Sequence, residues 1–280
     1  MNGGPGDIRD AYERQGFAFP LAALSAAETL AYRQELERIE RDFAGHPGVM
    51  SAGRSHPHLV LPFVDEIVRR PEVLAWVSQV LGPDLLVWAA TLFIKEAGSP
   101  DRITWHQDLT YWGLDSDREV TAWLALSPAT AESGAMRFVP GSHRQPIVPH
   151  RDTLADANML SRGQEIAVEV NEDEAVDVVL APGEMSLHHG RMFHASHPNR
   201  SADRRIGLSI QYITPDMRQI VGQRDFAVLV QGEDRHGNFE LVGPPRALLD
   251  PGDLARVEEI SALEARYFYA GVEAPGDAGG

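Results

Sequence analysis

The triplet His106-Gln107-Asp108 sets an imidazole and a carboxylate two residues apart. On a strand, residues i and i+2 share a face, so the two side chains would stand together as ligands for a divalent metal. A second cluster lies downstream in His188-His189-Gly-Arg-Met-Phe-His194-Ala-Ser-His197, which holds four of the chain's eleven histidines. Neutral imidazole is a good ligand for iron, zinc or copper. His188 and His189 are neighbours, so on a strand only one of them can face inward, and most of the cluster can serve packing or the surface. Arg205 follows His194 by eleven residues, where the chain re-enters a strand. A guanidinium fork there suits a carboxylate held through two hydrogen bonds. Two His and one carboxylate on a small β-barrel form the facial triad of non-haem Fe(II) oxygenases, which leaves three adjacent positions on the metal open.

Such ligands need rigid strands behind them, and the hydrophobic pattern supplies strands from Leu85 onward. Short apolar or alternating runs occur at Leu85–Ile94, Thr121–Leu126, Met136–Val139, Ile166–Val170, Ala175–Leu180, Glu184–His188 and Ile206–Ile213, with Gly- and Pro-rich turns between them. Many short strands at this spacing imply a sandwich or barrel. The first 83 residues instead predict helices. Ser25-Ala-Ala-Glu28 is a capping box opening a helix to about Phe43, and Pro71 starts another that ends at Gly82. Gly45 to Pro62 reads as a loop. Two long polar stretches, 144–164 and 216–246, are expected to be lids beside the barrel. Asp250-Pro-Gly-Asp253 caps a last helix to about Tyr269, and Pro275 to Gly280 reads as a disordered tail. The expectation is one domain over 1–280: a helical part to about 83, a sandwich or barrel core over 84–215, then a lid loop and helix to about 270.

Composition bounds the function. Of 280 residues, 43% are hydrophobic and 24% charged, ordinary for a globular domain. The net charge of -16 disfavours nucleic acid and anionic membrane as partners. With no cysteine, thiolate metal sites and disulfides are excluded, so a metal must rely on His, carboxylate or carbonyl oxygen. No signal-peptide pattern or membrane-length apolar run is evident, which makes cytoplasm the expected location. Lysine occurs once, at Lys95, against 24 arginines. That suggests a position where Arg would not serve.

Four segments in order resemble the phytanoyl-CoA dioxygenase family: Trp105-His-Gln-Asp-Leu-Thr-Tyr-Trp112, Val120-Thr-Ala-Trp-Leu-Ala-Leu126, Ser133-Gly-Ala-Met-Arg-Phe-Val-Pro-Gly-Ser-His143 and Leu187-His-His-Gly-Arg-Met-Phe-His194-Ala-Ser196. The third has Ser133 where the family pattern has Asn. The resemblance covers roughly Leu85 to Pro215, and it implies a double-stranded β-helix (jelly roll, cupin-like), mainly β with flanking helices. It implies Fe(II) held by His106, Asp108 and His194, with 2-oxoglutarate as co-substrate and O2 as oxidant. Arg205 would meet the distal carboxylate of 2-oxoglutarate, and Lys95, Gln107, Trp123 and Ser196 would be further co-substrate contacts. Gln107 should point away from the metal if its strand is regular. Related halogenases carry a small residue in place of the carboxylate, so Asp108 favours hydroxylation of an unactivated C–H bond, or a related oxidation such as desaturation or cyclisation. The products of the co-substrate would be succinate and CO2.

Tyr111 and Trp112 are candidate substrate contacts, since such pockets are largely apolar and aromatic. His197, where relatives often have Gly, would touch substrate or brace a loop. Two alternatives stand beside this reading. A cupin-type metalloenzyme without 2-oxoglutarate would have no use for Arg205. A non-catalytic ligand-binding jelly roll would leave the coincidence of HxD, distal His and Arg unexplained. Neither the small-molecule substrate nor the oligomeric state is legible.

Overall fold

The alternation along each central strand decides the architecture, because one side of every strand is aliphatic and the other is polar or small. In the computed structural model, residues 5–153, 157–160, 163–222 and 224–268 are described. A seven-stranded sheet runs in the order β1 (Phe17–Ala22), β9 (Glu184–His188), β4 (Glu119–Ala125), β11 (Arg205–Ile213), β2 (Leu85–Lys95), β12 (Phe226–Gln231) and β13 (Glu240–Leu241). A four-stranded sheet has the order β3 (Ile103–His106), β10 (His194–Ser196), β5 (Met136–Phe138) and β8 (Val176–Val178). A small pair, β6 (His150–Asp152) and β7 (Gln164–Ile166), lies beside them. The two larger sheets make a jelly roll, the form of sandwich that the family resemblance implies.

Ile206, Leu208, Ile210 and Tyr212 of β11 pack with Val120, Ala122 and Leu124 of β4 and Leu92 and Ile94 of β2 in the main core. The helices cover this face: α1 (Pro5–Gln15), α2 (Ala26–Asp42), α3 (Pro47–Arg54), α4 (Pro57–Val60), α5 (Pro62–Val68), α6 (Pro71–Leu81) and α7 (Pro251–Phe268). The alternate residues therefore point to the space between the sheets. They are Arg205, Gly207, Ser209 and Gln211 on β11, Thr121 and Trp123 on β4, Ser186 and His188 on β9, and Phe93 and Lys95 on β2. Among the described residues, no helix is long and apolar enough to cross a membrane.

Several local expectations hold. Ser25 accepts from the Glu28 amide while Glu28 reaches back to Ser25, forming the capping box of α2. Pro71 opens α6, and Asp250 Oδ1 accepts from the amides of Gly252 and Asp253 at the start of α7. Others need correction. The stretch from Gly45 to Pro62 is not a loop: Pro47, Pro57 and Pro62 each occupy a first helical turn, where a missing N–H does no harm. A strand, β1, interrupts the helical first part. Its Pro20 is tolerated because β1 lies at the sheet edge. The strand expected at Ile166–Val170 lies instead at Gln164–Ile166, with Val168 exposed. The region 216–246 is not a simple lid, since β12 extends the large sheet and buries Phe226, Ala227 and Val228. The segment 144–164 carries β6 and is stitched to β3, where the Asn158 amide donates to Thr104 Oγ1 at 2.7 Å. The expected tail at 275–280 lies outside the described residues.

A buried ion pair fastens α7 to the helical layer. His56 Nε2 donates to Glu264 Oε1 at 3.0 Å, and His56 holds a φ of 146°, a strained value for a residue other than glycine. Burial disfavours the charged ring, but the Glu264 carboxylate outweighs it, so the His56 pKa rises above its ordinary value. A raised folded pKa stabilises the fold fully below the unfolded value of about 6.5, and the gain fades as pH climbs through the folded value. Glu264→Gln is therefore expected to lower the melting temperature more at pH 6 than at pH 9. An equal loss at both pH values would contradict this.

Candidate metal centre

The first ligand candidates meet because two short strands pair in register. His194 on β10 lies directly opposite His106 on β3, and their ring centroids are 4.0 Å apart. Asp108 does not continue the strand, as the i, i+2 argument supposed. It opens a single 3-10 turn, Asp108–Thr110, after the extended residue Gln107. The carboxylate still comes to the same side: Asp108 Oδ1 is 3.1 Å from His106 Nε2 and 3.6 Å from His194 Nε2. One donor atom from each of His106, Asp108 and His194 lies within 4.8 Å of the others. The three converge on a point that a metal ion can fill.

The tautomers are also set for a metal. His106 Nδ1 donates to the Thr104 carbonyl at 2.9 Å, and His194 Nδ1 to the Met192 carbonyl at 3.0 Å. Each bond fixes the proton on Nδ1 and leaves the Nε2 lone pair facing Asp108. Burial would raise the Asp108 pKa, but the imidazoles of His194, His106 and His188 hold it well below the usual carboxylate range. Burial and the neighbouring His106 push His194 down to about 3. The site thus presents two imidazole Nε2 atoms and one carboxylate, the donor set that suits Fe(II).

Arg205 opens on the same enclosed cavity, which is also lined by Phe93, Trp123, Ser196 and Ser209. Its side chain is 1% exposed, and neither Nε nor Nη2 has a hydrogen-bond partner. Burial lowers its pKa to about 10, so it remains a cation at pH 7. The guanidinium carbon lies 5.2 Å from the ring centre of Trp123. That platform depends on Gly207. A Cβ there would sit 1.8 Å from Trp123 Cζ2. Gly207→Ala is expected to destabilise the fold by about 1–3 kcal/mol and to displace the indole beneath Arg205. Thermal unfolding checks this, and an unchanged melting temperature would refute the close packing.

Lys95 pairs with Arg205 across β2 and β11. Its Nζ donates to Ser196 Oγ at 2.6 Å and to the His197 carbonyl at 2.5 Å. Burial and the adjacent Arg205 lower its pKa to about 6. Asn199 donates to the Lys95, Glu96 and Asp203 carbonyls and so locks this corner.

Trp123 and Ser196 therefore line the cavity with Arg205, and Lys95 adjoins it through Ser196, while Gln107, Trp112, Tyr111 and His197 do not line it. Gln107 has its side chain committed to loop backbone: its amide donates to Arg191 and Pro146 carbonyls, and its oxygen accepts from Val148. The extended backbone turns it away from Asp108, as alternation requires. Trp112 packs against Trp88 in an apolar cluster with Leu86 and Ile213, because the 3-10 turn rotates it away from the metal side. Tyr111 lies edge-on to His150 instead of lining the cavity. His197 is exposed, its ring meets Arg137 Nη1 at 3.0 Å, and it lines the wider cleft beside the cavity. Phe93, Ser209 and His188 line the cavity without having been singled out as site residues. The strand alternation that placed Arg205 inward carried the signal for Ser209. Beside the cavity lies a wider cleft of about 350 Å3 that shares Ile103, Ala195 and Ser196 with it and adds Trp105, Arg102 and Arg137.

Residues 12–207 match the family described as phytanoyl-CoA dioxygenase (PhyH). The chain belongs to that family. Among curated relatives, it is 30% identical over 176 residues to a probable alpha-ketoglutarate-dependent hypophosphite dioxygenase of Stutzerimonas stutzeri. The alignment covers 60% of this chain and spans 58% of that relative's length. Among solved structures, the apo non-heme monooxygenase ThoJ superposes with a TM-score of 0.84 at 35% identity, covering 94% of this chain and 97% of that one. CytC3 with Fe(II) and alpha-ketoglutarate shares the fold, with a TM-score of 0.65 at 22% identity over 86% of this chain and 97% of that one. Fe(II) and alpha-ketoglutarate are what that CytC3 structure holds. In this member of the phytanoyl-CoA dioxygenase family, the residues present fit both: a His-Asp-His donor set for the metal and an orphaned buried guanidinium for a carboxylate.

Proposed function

We propose that this protein is an Fe(II)- and 2-oxoglutarate-dependent oxygenase that hydroxylates an unactivated C–H bond of a small molecule, with His106, Asp108 and His194 holding the metal. The observation that carries the reading is Arg205. A buried cation with two unpartnered nitrogens, in the same cavity as the three metal-ligand candidates, calls for an anion. A metalloenzyme without 2-oxoglutarate has no need of it.

When bound, the metal and 2-oxoglutarate would supply activation of O2, whose two oxygen atoms would end in the hydroxylated product and in succinate, with CO2 released. The protein's own residues bind, orient and exclude water. His106 and His194 present fixed Nε2 lone pairs, and Asp108 supplies the negative charge. Arg205 takes the distal carboxylate, with Trp123 supporting the guanidinium and Ser196 beside it. Lys95 holds the Ser196 hydroxyl in place. The aliphatic wall of Ile103, Met136 and Leu160 keeps the cavity dry. The small-molecule substrate approaches through the adjoining cleft beside Trp105.

The test is anaerobic addition of Fe(II) and 2-oxoglutarate to metal-free protein. A weak visible charge-transfer band is expected, and O2 should then release succinate. Iron binding without the band would leave a cupin-type metalloenzyme, and no iron binding would refute the triad.

A further inference from the structure

A third imidazole faces the metal site without being dressed as a ligand. His188 ends β9 with its side chain on the inner face, opposite Thr121 of β4. It is 1% exposed and lines the same cavity as Asp108 and His194. Its ring centroid lies 5.0 Å from that of His194 and 4.9 Å from that of Phe138. Neither ring nitrogen has a hydrogen-bond partner. A buried N–H left in that condition is costly, so a polar role explains it better than packing does.

The geometry names the partner. Asp108 Oδ1 is the oxygen turned toward His106 and His194, whereas Asp108 Oδ2 is turned toward His188 Nε2 at 3.8 Å. His188 also differs from the two ligand candidates in one respect. Their Nδ1 atoms are tied to backbone carbonyls, which prepares Nε2 as a lone pair. His188 has no such tie, so nothing reserves its Nε2 for a metal, and that atom is able to carry the proton.

We propose that His188 is a positioning residue that donates from Nε2 to Asp108 Oδ2 and so keeps the carboxylate bound to the metal through Oδ1 alone. This rests on the metal reading above. At 3.8 Å the pair lies just beyond hydrogen-bond distance, and a shift of either side chain by about 1 Å would bring it within reach. Without the donor, the carboxylate is free to turn about its Cβ–Cγ bond, and Oδ1 is no longer held in place for the metal. Hydrogen-bond partners of metal ligands commonly set affinity by ten- to a hundredfold.

Co(II) is a suitable probe, because its visible spectrum reports coordination without turnover. For His188→Phe, which keeps an aromatic ring against Phe138, we expect Co(II) affinity to fall about ten- to a hundredfold and the Co(II) band intensities to change. His188→Gln, whose amide can donate to Oδ2, should recover most of the affinity and spectrum. If His188→Phe fails to fold, His188→Leu takes its place in the comparison. A folded Phe or Leu variant with wild-type Co(II) affinity and spectrum would overturn the proposal. So would a Gln variant as impaired as Phe, since the ring's bulk would then be what matters. Wild-type protein that binds no Co(II) would instead overturn the metal reading beneath it.

Discussion

Replacing Arg205 with methionine is expected to weaken 2-oxoglutarate binding about a hundred- to a thousandfold while leaving metal binding nearly intact. Charge-assisted bonds to a buried guanidinium contribute about 1.5–3 kcal/mol each, and a fork makes two of them. The same substitution should not harm the apo fold. Arg205 is a base whose folded pKa, about 10, lies below its ordinary value, so folding disfavours its charged form. That penalty is present at every pH below about 10, hence throughout the neutral range. The depression from 12.5 corresponds to about 3 kcal/mol, partly offset by the Trp123 ring. Methionine fills similar space without the charge, and replacing buried ions by apolar groups is often neutral or stabilising. The apo variant should therefore melt at or above the wild-type temperature. Metal plus 2-oxoglutarate should raise the melting temperature of the wild type but not of the variant. Calorimetric titration of 2-oxoglutarate onto the Co(II) form, with thermal unfolding of both proteins, measures each part. A variant that still binds 2-oxoglutarate tightly would remove Arg205 from the site.

The contrast between a stabilised apo fold and a lost ligand also explains what the sequence could and could not show. His106, Asp108, His194 and Arg205 were legible because their chemical types are rare in a strand interior and their order is specific. The face of each central strand was legible too: Ile206, Leu208 and Ile210 alternate with Arg205, Gly207 and Ser209, which is period-two information. What alternation could not show was the break after Gln107. A single 3-10 turn puts Asp108 on the metal side and sends Trp112 into the Trp88 cluster, and such turns leave little local signal. The helices over 47–68 were hidden for a related reason. Pro, Gly and His in that stretch suggest a loop, yet each proline sits where a helix begins. The 216–246 region was judged by its polar flanks, and its apolar centre Phe226-Ala-Val-Leu-Val230 pairs as a sheet strand with β2. His188 was visible but ambiguous, because one residue of register separates it from His189.

Removing the carboxylate should have the largest effect of any single change. Among the described residues lining the enclosed cavity, Asp108 is the sole acid, and it shares that cavity with the Arg205 cation. A divalent ion there has two neutral imidazoles for company and a positive charge close by. Two unit charges 4 Å apart interact by about 4 kcal/mol at an effective dielectric of about 20, and the ion carries two charges at shorter range. Asp108→Ala is therefore expected to weaken Fe(II) or Co(II) binding by at least about a thousandfold and to abolish succinate release. Asp108→Asn keeps an oxygen ligand but loses the charge, so its affinity should fall between that of Ala and wild type. Since 2-oxoglutarate would chelate the same ion, Asp108→Ala should also lose co-substrate binding, whereas Arg205→Met loses co-substrate alone. The order of losses separates the two roles: metal first and co-substrate with it for Asp108, co-substrate only for Arg205. Metal titration of the three proteins under anaerobic conditions decides it. An Asp108→Ala protein that holds metal as tightly as wild type would place the metal centre elsewhere in the chain.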